Sequence, residues 1–275
     1  MVAIDAPAIE RLALQDAPSG LALSREAGWN QTIEDWCLFI ETGSTFGLRG
    51  SDGRVIASAA LLPSPPVTWI SMVLVARTHR RRGFASRLLR YCLDETARRR
   101  LSPWLDATPA GAKVYKAFGF VDSGWGLQRL RRSAASGRIR AGAPAVDVGD
   151  LIRADRATLG FDRSHVLARL AGREGSRVAG TERALALVRD GDRARHIGPV
   201  IAENETAAIP LLRAVIDAEP GPLVVDVANG CSEVDAFLRS RGFGFERSFT
   251  RMTQGLSFVP LPCGASMAAA GPEFG

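Results

Sequence analysis

The residues best placed to do chemistry lie in one short stretch, VARTHRRRGFAS (75–86), between an apolar run and an amphipathic one. A buried strand that opens through Arg80, Arg81, Arg82 and Gly83 into a helix leaves the helix's first N–H groups without acceptors, at the positive end of its dipole. Such a turn is an anion site. Gly83 and Ala85 leave the backbone open to a phosphate, and the arginines around it supply charge-assisted hydrogen bonds. The chain contains neither GxxxxGK[ST] nor GxGxxG, which disfavours a nucleoside-triphosphatase loop and a dinucleotide-binding fold.

The elements that must position this turn follow from periodicity. Ile33, Trp36, Cys37 and Ile40 share one helical face over 32–42. Strands are expected over 45–50, 55–63 and 67–75, with Asp52-Gly53 as a hairpin signal between the first two. The third is almost wholly apolar, as suits a strand covered on both faces. After the turn, Ala85, Leu88, Leu89 and Cys92 mark a helix from about 84 to 100, stopped by Pro103. A strand over 103–107, a helix over 110–118, a Gly119-Phe120 pair and a strand over 126–130 follow. Residues 133–149 are small and polar without a sustained period and read as a linker. The theme then recurs, with strands over 184–191, 195–202 and 222–228, a helix over 205–218, and a helix over 232–245 ending in another Gly-Phe. The expectation is two copies of one α/β (α+β) fold, over 1–132 and 150–275.

Arg80-x-x-Gly83-x-Ala85 after an apolar strand, with Tyr115 and Gly119-Phe120 downstream, resembles the GCN5-related N-acetyltransferase (GNAT) superfamily. That superfamily carries an R/Q-x-x-G-x-G/A loop and a Y-x-x-x-G-F segment, and the resemblance spans nearly all of 20–131. It implies tandem GNAT folds, each a mixed, mostly antiparallel sheet flanked by helices. It also implies acetyl-CoA as co-substrate, with no metal. The pyrophosphate would lie on residues 81–86 and the pantetheine arm beside 72–75. The implied cofactor-binding residues are therefore Met72, Val73, Leu74, Val75, Arg80, Arg81, Arg82, Gly83, Phe84, Ala85 and Ser86, and the backbone N–H near Val73 takes the oxyanion role.

Acetyl transfer to an amine needs a neutral nucleophile, a donor for the thioester oxygen and a proton for the leaving thiolate. An alkylamine with a pKa of about 10.4 is neutral to roughly one part in a thousand at pH 7, so a carboxylate or water chain must collect its proton. Asp106, at the end of the strand after the helix, is the expected base, ahead of Glu41 and Glu34. Tyr115 matches the family's general acid. Full proton transfer from a phenol of pKa about 10 to a thiolate of pKa about 8.5 is uphill by about 2 kcal/mol, so hydrogen bonding is the safer role. Trp29, Asn30, Trp36 and Ser71 are expected to wall the acceptor, a small amine or amino-acid-like molecule.

The second half departs from this pattern. Where the loop should stand, the chain reads Glu203-Asn204-Glu205-Thr206, and Leu238 precedes Gly242 where Tyr115 precedes Gly119. Two carboxylates there would repel a pyrophosphate, so this copy resembles the degenerate C-terminal domain of tandem acetyltransferases. Asp226 matches Asp106, and His196 with Asn229 could form a small-ligand pocket.

The net charge of +6 is uneven: residues 1–140 carry 20 Lys+Arg against 12 Asp+Glu, and the remainder 15 against 17. The excess positive charge thus lies in the half with the arginine turn. Basic residues cluster at one turn with few interleaved aromatics, which argues against a nucleic-acid partner. No apolar run of about 18 residues exists, and Asp5, Glu10 and Asp16 interrupt any leader, so a cytoplasmic protein without membrane partners is expected, as a monomer or homodimer. Cys37, Cys92, Cys231 and Cys263 are scattered and read as reduced thiols. The alternative to an enzyme is a non-catalytic acyl-CoA sensor.

Overall fold

The computed structural model describes residues 7–134, 142–255 and 265–275; Cys263 lies outside them. In chain order the first half contains β1 (Glu10–Arg11), α1 (Ala17–Glu26), α2 (Ile33–Glu41), β2 (Ser44–Arg49), β3 (Val55–Ser64), β4 (Val67–Val75), α3 (Phe84–Arg98), β5 (Ser102–Ala107), α4 (Pro109–Lys116) and β6 (Val121–Arg132). The second contains α5 (Val148–Leu159), α6 (Ser164–Ala171), β7 (Arg177–Thr181), β8 (Ala184–Arg189), β9 (Arg195–Ala202), α7 (Glu205–Asp217), β10 (Leu223–Ala228), α8 (Ser232–Ser240), β11 (Gly244–Thr253) and β12 (Ser266–Ala268).

Among the described residues all strands join one sheet in the order β1-β2-β3-β4-β5-β11-β6-β10-β12-β9-β8-β7. The pairs β4/β5 and β9/β10 are parallel and the rest antiparallel. The last long strand of each half is exchanged: β11 inserts between β5 and β6, while β6 pairs with β10. The boundary expected at residue 132 is therefore one of sequence and not of space. Neither half's sheet is complete without a strand from the other.

Two readings of the second half need correction. The helix expected over 232–245 stops at Ser240, where Gly242 adopts φ +85° and Phe243 N–H donates to Leu238 O at 3.1 Å, a left-handed helix ending. The Gly244-Phe245 pair then starts β11. Residues 142–147 are not a free linker, since Val146 N–H donates to Val178 O and Pro144 O accepts from Gly180 N–H, both at 3.0 Å. Helix α5 starts at Val148, with Asp147 capping it through a bond from Gly149 N–H at 2.7 Å.

Helix α1 was not expected, because Pro18, Ser19 and Gly20 weaken its pattern. Tertiary packing overrides propensity here. A Cβ on Gly20 would fall 2.3 Å from the Trp36 ring, so only glycine lets α1 lie against α2. Trp36, Leu38 and Phe39 of α2 share one core with Val166, Leu167 and Leu170 of α6 and with Phe274 of the chain's last segment. Phe39 and Phe274 stack with ring centroids 5.2 Å apart. The last segment is anchored further by Trp69 Nε1 donating to Pro272 O at 2.9 Å and by Arg163 Nη1 donating to Phe274 O at 3.0 Å.

Candidate active site

The β4/β5 pairing is confined to Val67–Trp69 against Ser102–Trp104, after which the two strands part. A bulge sits at the mouth of the gap: Ala59 alone faces Met72 and Val73, and Met72 adopts φ +51° while Ser58 Oγ donates to its carbonyl at 2.8 Å. A positive φ is rare for a residue with a side chain, and this one takes Met72 and Val73 out of the ladder at the opening.

On one side of the opening runs a groove of about 480 Å³, walled by Val73–Val75, by residues 80, 81 and 83–86 of the turn, and by Ala110 and Val114 of α4. Gly83 is the N-cap of α3 with φ +79°, no side chain caps the helix, and a Cβ there would meet nothing within 4 Å. Arg81 is also left-handed at φ +61°. Arg80 Nε donates to Val75 O and Arg82 Nη2 to Thr78 O, each at 3.1 Å, so these arginines shape the turn as well as charging it. Sequence reasoning assigned His79 no role, yet it lines the groove and stacks on Phe84 at 6.4 Å.

On the other side lies a cavity of about 140 Å³ that shares Trp29, Val73 and Thr108 with the groove. Tyr115 reaches it from α4, whose N-cap Thr108 accepts from Gly111 N–H at 3.2 Å. A Cβ on Gly111 would come 3.0 Å from the Tyr115 ring, so glycine keeps the ring's place open. Burial, and after it the neighbouring Cys92, pushes the Tyr115 phenol up to about 12. Ser71 and Gln31 line the same cavity, and Ser71 Oγ and Gln31 Oε1 are buried without a hydrogen-bond partner.

Three expected site residues are placed elsewhere or otherwise engaged. Asp106 lines the cavity but is fully buried, and both its oxygens accept from Arg251, from Nε and Nη2 at 2.9 Å each. A carboxylate held bidentate by a guanidinium is not free to collect a proton. Trp36 is fully buried in the core, with Nε1 donating to Ser24 Oγ at 3.0 Å. Asn30 is a fastener between the halves: Oδ1 accepts from Arg193 N–H at 2.9 Å and Ala194 N–H at 3.0 Å, and Nδ2 donates to Ala194 O at 2.9 Å. The lower-ranked Glu41 is paired with Arg169, and Glu34 is exposed.

Sequence reasoning missed five walls of the cavity: Arg247, Phe249, Pro272 and Glu273 come from the second half, and Arg129 from the exchanged β6. Glu273 is buried, and its nearest cation is Arg189 Nη2 at 3.5 Å. Its carboxylate folds back over Gly271, where a Cβ would come within 3.0 Å of it. Burial outweighs Arg189 and Arg129 and raises its pKa above the ordinary glutamate value. The only signal in the sequence was a lone carboxylate in an otherwise uncharged final segment.

The equivalent region of the second half is closed. Strands β9 and β10 pair only at Arg195–Ile197 against Leu223–Val225, and β12 fills the gap beyond, antiparallel to both. The start of α7 is occupied by its own residues. Asn204 Oδ1 accepts from Ala207 N–H at 2.9 Å, and Glu205 Oε2 from Val234 N–H at 2.8 Å. His196 does not form a pocket with Asn229; it is buried with Nε2 2.9 Å from Asp226 Oδ2, and Asp226 also binds Arg129 through bonds of 2.7 and 2.8 Å. Among the described residues no group of three or more His, Cys, Asp or Glu could hold a metal ion, and no helix is long and apolar enough to cross a membrane.

Comparison with known proteins agrees with this architecture. Residues 8–120 match the acetyltransferase (GNAT) family and residues 151–263 match a GNAT acetyltransferase domain. The chain is 25% identical over 240 residues, 81% of its length and 83% of the other's, to the uncharacterized N-acetyltransferase YitH of Bacillus subtilis strain 168. A crystal structure of a candidate acetyltransferase from Pyrococcus horikoshii superposes with TM-score 0.80 at 18% identity, over 98% of this chain and 96% of that one. A tandem GNAT protein from the clavulanic acid biosynthesis pathway gives TM-score 0.65 at 17% identity, over 91% and 99%. With a GNAT match in each half and a fold shared along nearly the whole chain, this protein is a GNAT-superfamily acyltransferase built of two such domains in tandem.

Proposed function

We propose that the chain moves an acetyl group from acetyl-CoA to the primary amine of a small acceptor, by direct attack in a ternary complex assembled in the first half. The observation that carries this reading is the junction of groove and cavity at Trp29, Val73 and Thr108. A basic, glycine-capped turn stands on one side of it and a buried polar chamber on the other. The open space at Gly83, the uncapped start of α3, and Arg80 and Arg81 on the groove wall fit a pyrophosphate. The gap beside Val73–Val75 fits an extended arm.

Acetyl-CoA supplies an activated acyl group with a thiolate leaving group. The acceptor nitrogen bonds to the acetyl carbon as the C–S bond breaks, and the amine's proton must leave toward a base. The chain's own groups do the rest. The Val73 N–H, out of the ladder at the bulge, would donate to the thioester oxygen. Tyr115, neutral with its pKa pushed up to about 12, serves as a hydrogen-bond donor to the departing sulfur. Full proton transfer to the thiolate of a thiol with pKa about 8.5 would be uphill by about 5 kcal/mol. Glu273, not Asp106, is the carboxylate that collects the proton. The second half acts as acceptor wall and base donor; its own gap, filled by β12, binds no CoA.

Calorimetric titration of acetyl-CoA into wild type and into Gly83→Glu tests this. One site per chain, lost in the variant, is expected. No binding to wild type would overturn the acetyl-CoA reading, and two sites per chain would overturn the closed second half.

A further inference from the structure

We infer that the acceptor is an aminocarboxylate, a small molecule carrying both a primary amine and a carboxylate, held with its carboxylate on Arg247 and Arg129 and its amine against Glu273. This rests on the acyltransferase reading of the cavity and adds the class of molecule that fills it.

The cavity holds charges of both signs. Arg129 spends Nε and Nη2 on Asp226, which leaves the rest of a five-donor guanidinium on the cavity wall. Arg247 has Glu246 as its partner, at 2.8 Å from Nη2, and Glu246 is already shared with Arg131. A bulge in β11 between Phe245 and Arg247 sets the arginine's direction at this point. Two guanidinium groups that line one small cavity, each already holding one carboxylate and keeping further N–H donors, form a receptor for a planar anion.

Acceptors for an ammonium are also present. Among the described residues Gln31 Oε1 and Ser71 Oγ are buried and unpartnered, and Glu273 has only Arg189 within salt-bridge reach. Buried polar atoms left unpaired in a folded chain call for a partner from outside it. At about 140 Å³ the cavity is smaller than the roughly 300 Å³ at which drug-sized ligand sites begin, so the acceptor is of amino-acid size. A purely cationic polyamine would set a second positive charge against the two arginines. An amine without a carboxylate would leave the remaining donors of both guanidinium groups without an acceptor from the ligand.

The test uses matched probes on the full chain: the twenty common L-amino acids, their C-terminal amides, and the corresponding decarboxylated amines. Thiol release from acetyl-CoA is followed, and binding of the same probes without acetyl-CoA is measured by saturation-transfer NMR. At least one amino acid should be acetylated with kcat/KM a hundredfold or more above its amide and amine. In Arg247→Gln that preference should fall at least tenfold, chiefly through KM, and Arg247→Lys should restore part of it. Arg247 is about a quarter exposed, with one acidic partner, so both variants should fold. Amides or amines used as well as the acids, or no amino acid either bound or acetylated, would overturn the inference. Amino-acid binding that depends on Arg247 in a protein that fails to bind acetyl-CoA would instead retain it and overturn the acetyl-CoA reading.

Discussion

Asp106 on β5 and Arg251 on β11 stand directly opposite each other in the ladder, joined by two bonds of 2.9 Å, and Asp226 on β10 faces Arg129 on β6 in the same way. In each case the aspartate belongs to one copy of the fold and the arginine to a strand exchanged from the other. All four side chains are at most 5% exposed. The Arg251 guanidinium also stacks over Trp125, 3.8 Å from its ring centroid. These pairs set the register of the exchange, because a slip of one residue would bury two charges apart from their partners.

Asp106→Ala should therefore act on stability and not on the acid limb of the rate profile. Removing one partner strands the Arg251 charge, at a cost of roughly 3–5 kcal/mol. Denaturant titration should show that loss, and Asp106→Leu combined with Arg251→Met should recover much of it. Retention of an unchanged acid limb by the folded fraction separates this role from that of a base.

Glu273→Gln should do the opposite. Glu273 must be ionised to take a proton, and burial raises its pKa, so wild-type kcat/KM should fall as pH drops through a point above the ordinary glutamate value of 4.5. The variant should lose that limb and about 10²–10⁴-fold in rate. A raised acid pKa favours the fold below 4.5, and this contribution disappears as pH rises through the folded value. Above the folded value the ionised, buried Glu273 is thus a liability, and there Glu273→Gln should melt no lower than wild type. An acid limb that survives the substitution would return the proton to a water chain.

Tyr115→Phe should leave acetyl-CoA affinity by calorimetry within about twofold while lowering kcat by a factor on the order of 10² or more. With the phenol pushed up to about 12, wild-type activity should show no decline from its ionisation below pH 11. A basic limb near pH 10 that vanishes in the variant would show a more exposed phenol than the cavity implies.

The arginine turn, β4 and Tyr115 were legible in the sequence because local chemistry fixes each. An apolar run, a Gly needing positive φ and a helical period are properties of neighbouring residues. The carboxylate proposed as the base was not legible. Glu273 reaches the cavity only because β12 fills the β9/β10 gap and the chain's end crosses to the other half, a path without a local pattern. The pairing of Asp106 was hidden for a related reason, since its partner Arg251 lies 145 residues away on an exchanged strand. Asn30 and Trp36 had the residue types of an acceptor wall, but a cluster of amide and aromatic side chains reads the same whether it meets a ligand or another domain.

The fold's pH dependence should carry the mark of His196. It lies 2.9 Å from Asp226 Oδ2, yet burial, followed by the charge of Arg189, pushes its pKa down to about 4 against the pull of the carboxylate. Asp226, held by Arg129 and His196, stays far below the ordinary carboxylate range and remains ionised throughout. His196 is thus neutral in the fold and donates Nε2–H to Asp226. From pH 6.5 down to about 4 the unfolded chain binds a proton that the folded chain refuses, so stability contributed above pH 6.5 is lost as pH falls. A shift of this size corresponds to about 3 kcal/mol at most. Glu273 titrates in the opposite sense, and His196→Gln, whose amide can still donate to Asp226, isolates the histidine. Melting temperature measured from pH 7 to pH 4 should fall several degrees further in wild type than in the variant. Equal slopes would mean that His196 already carries its proton in the fold, and that Asp226 holds an imidazolium and a guanidinium at once.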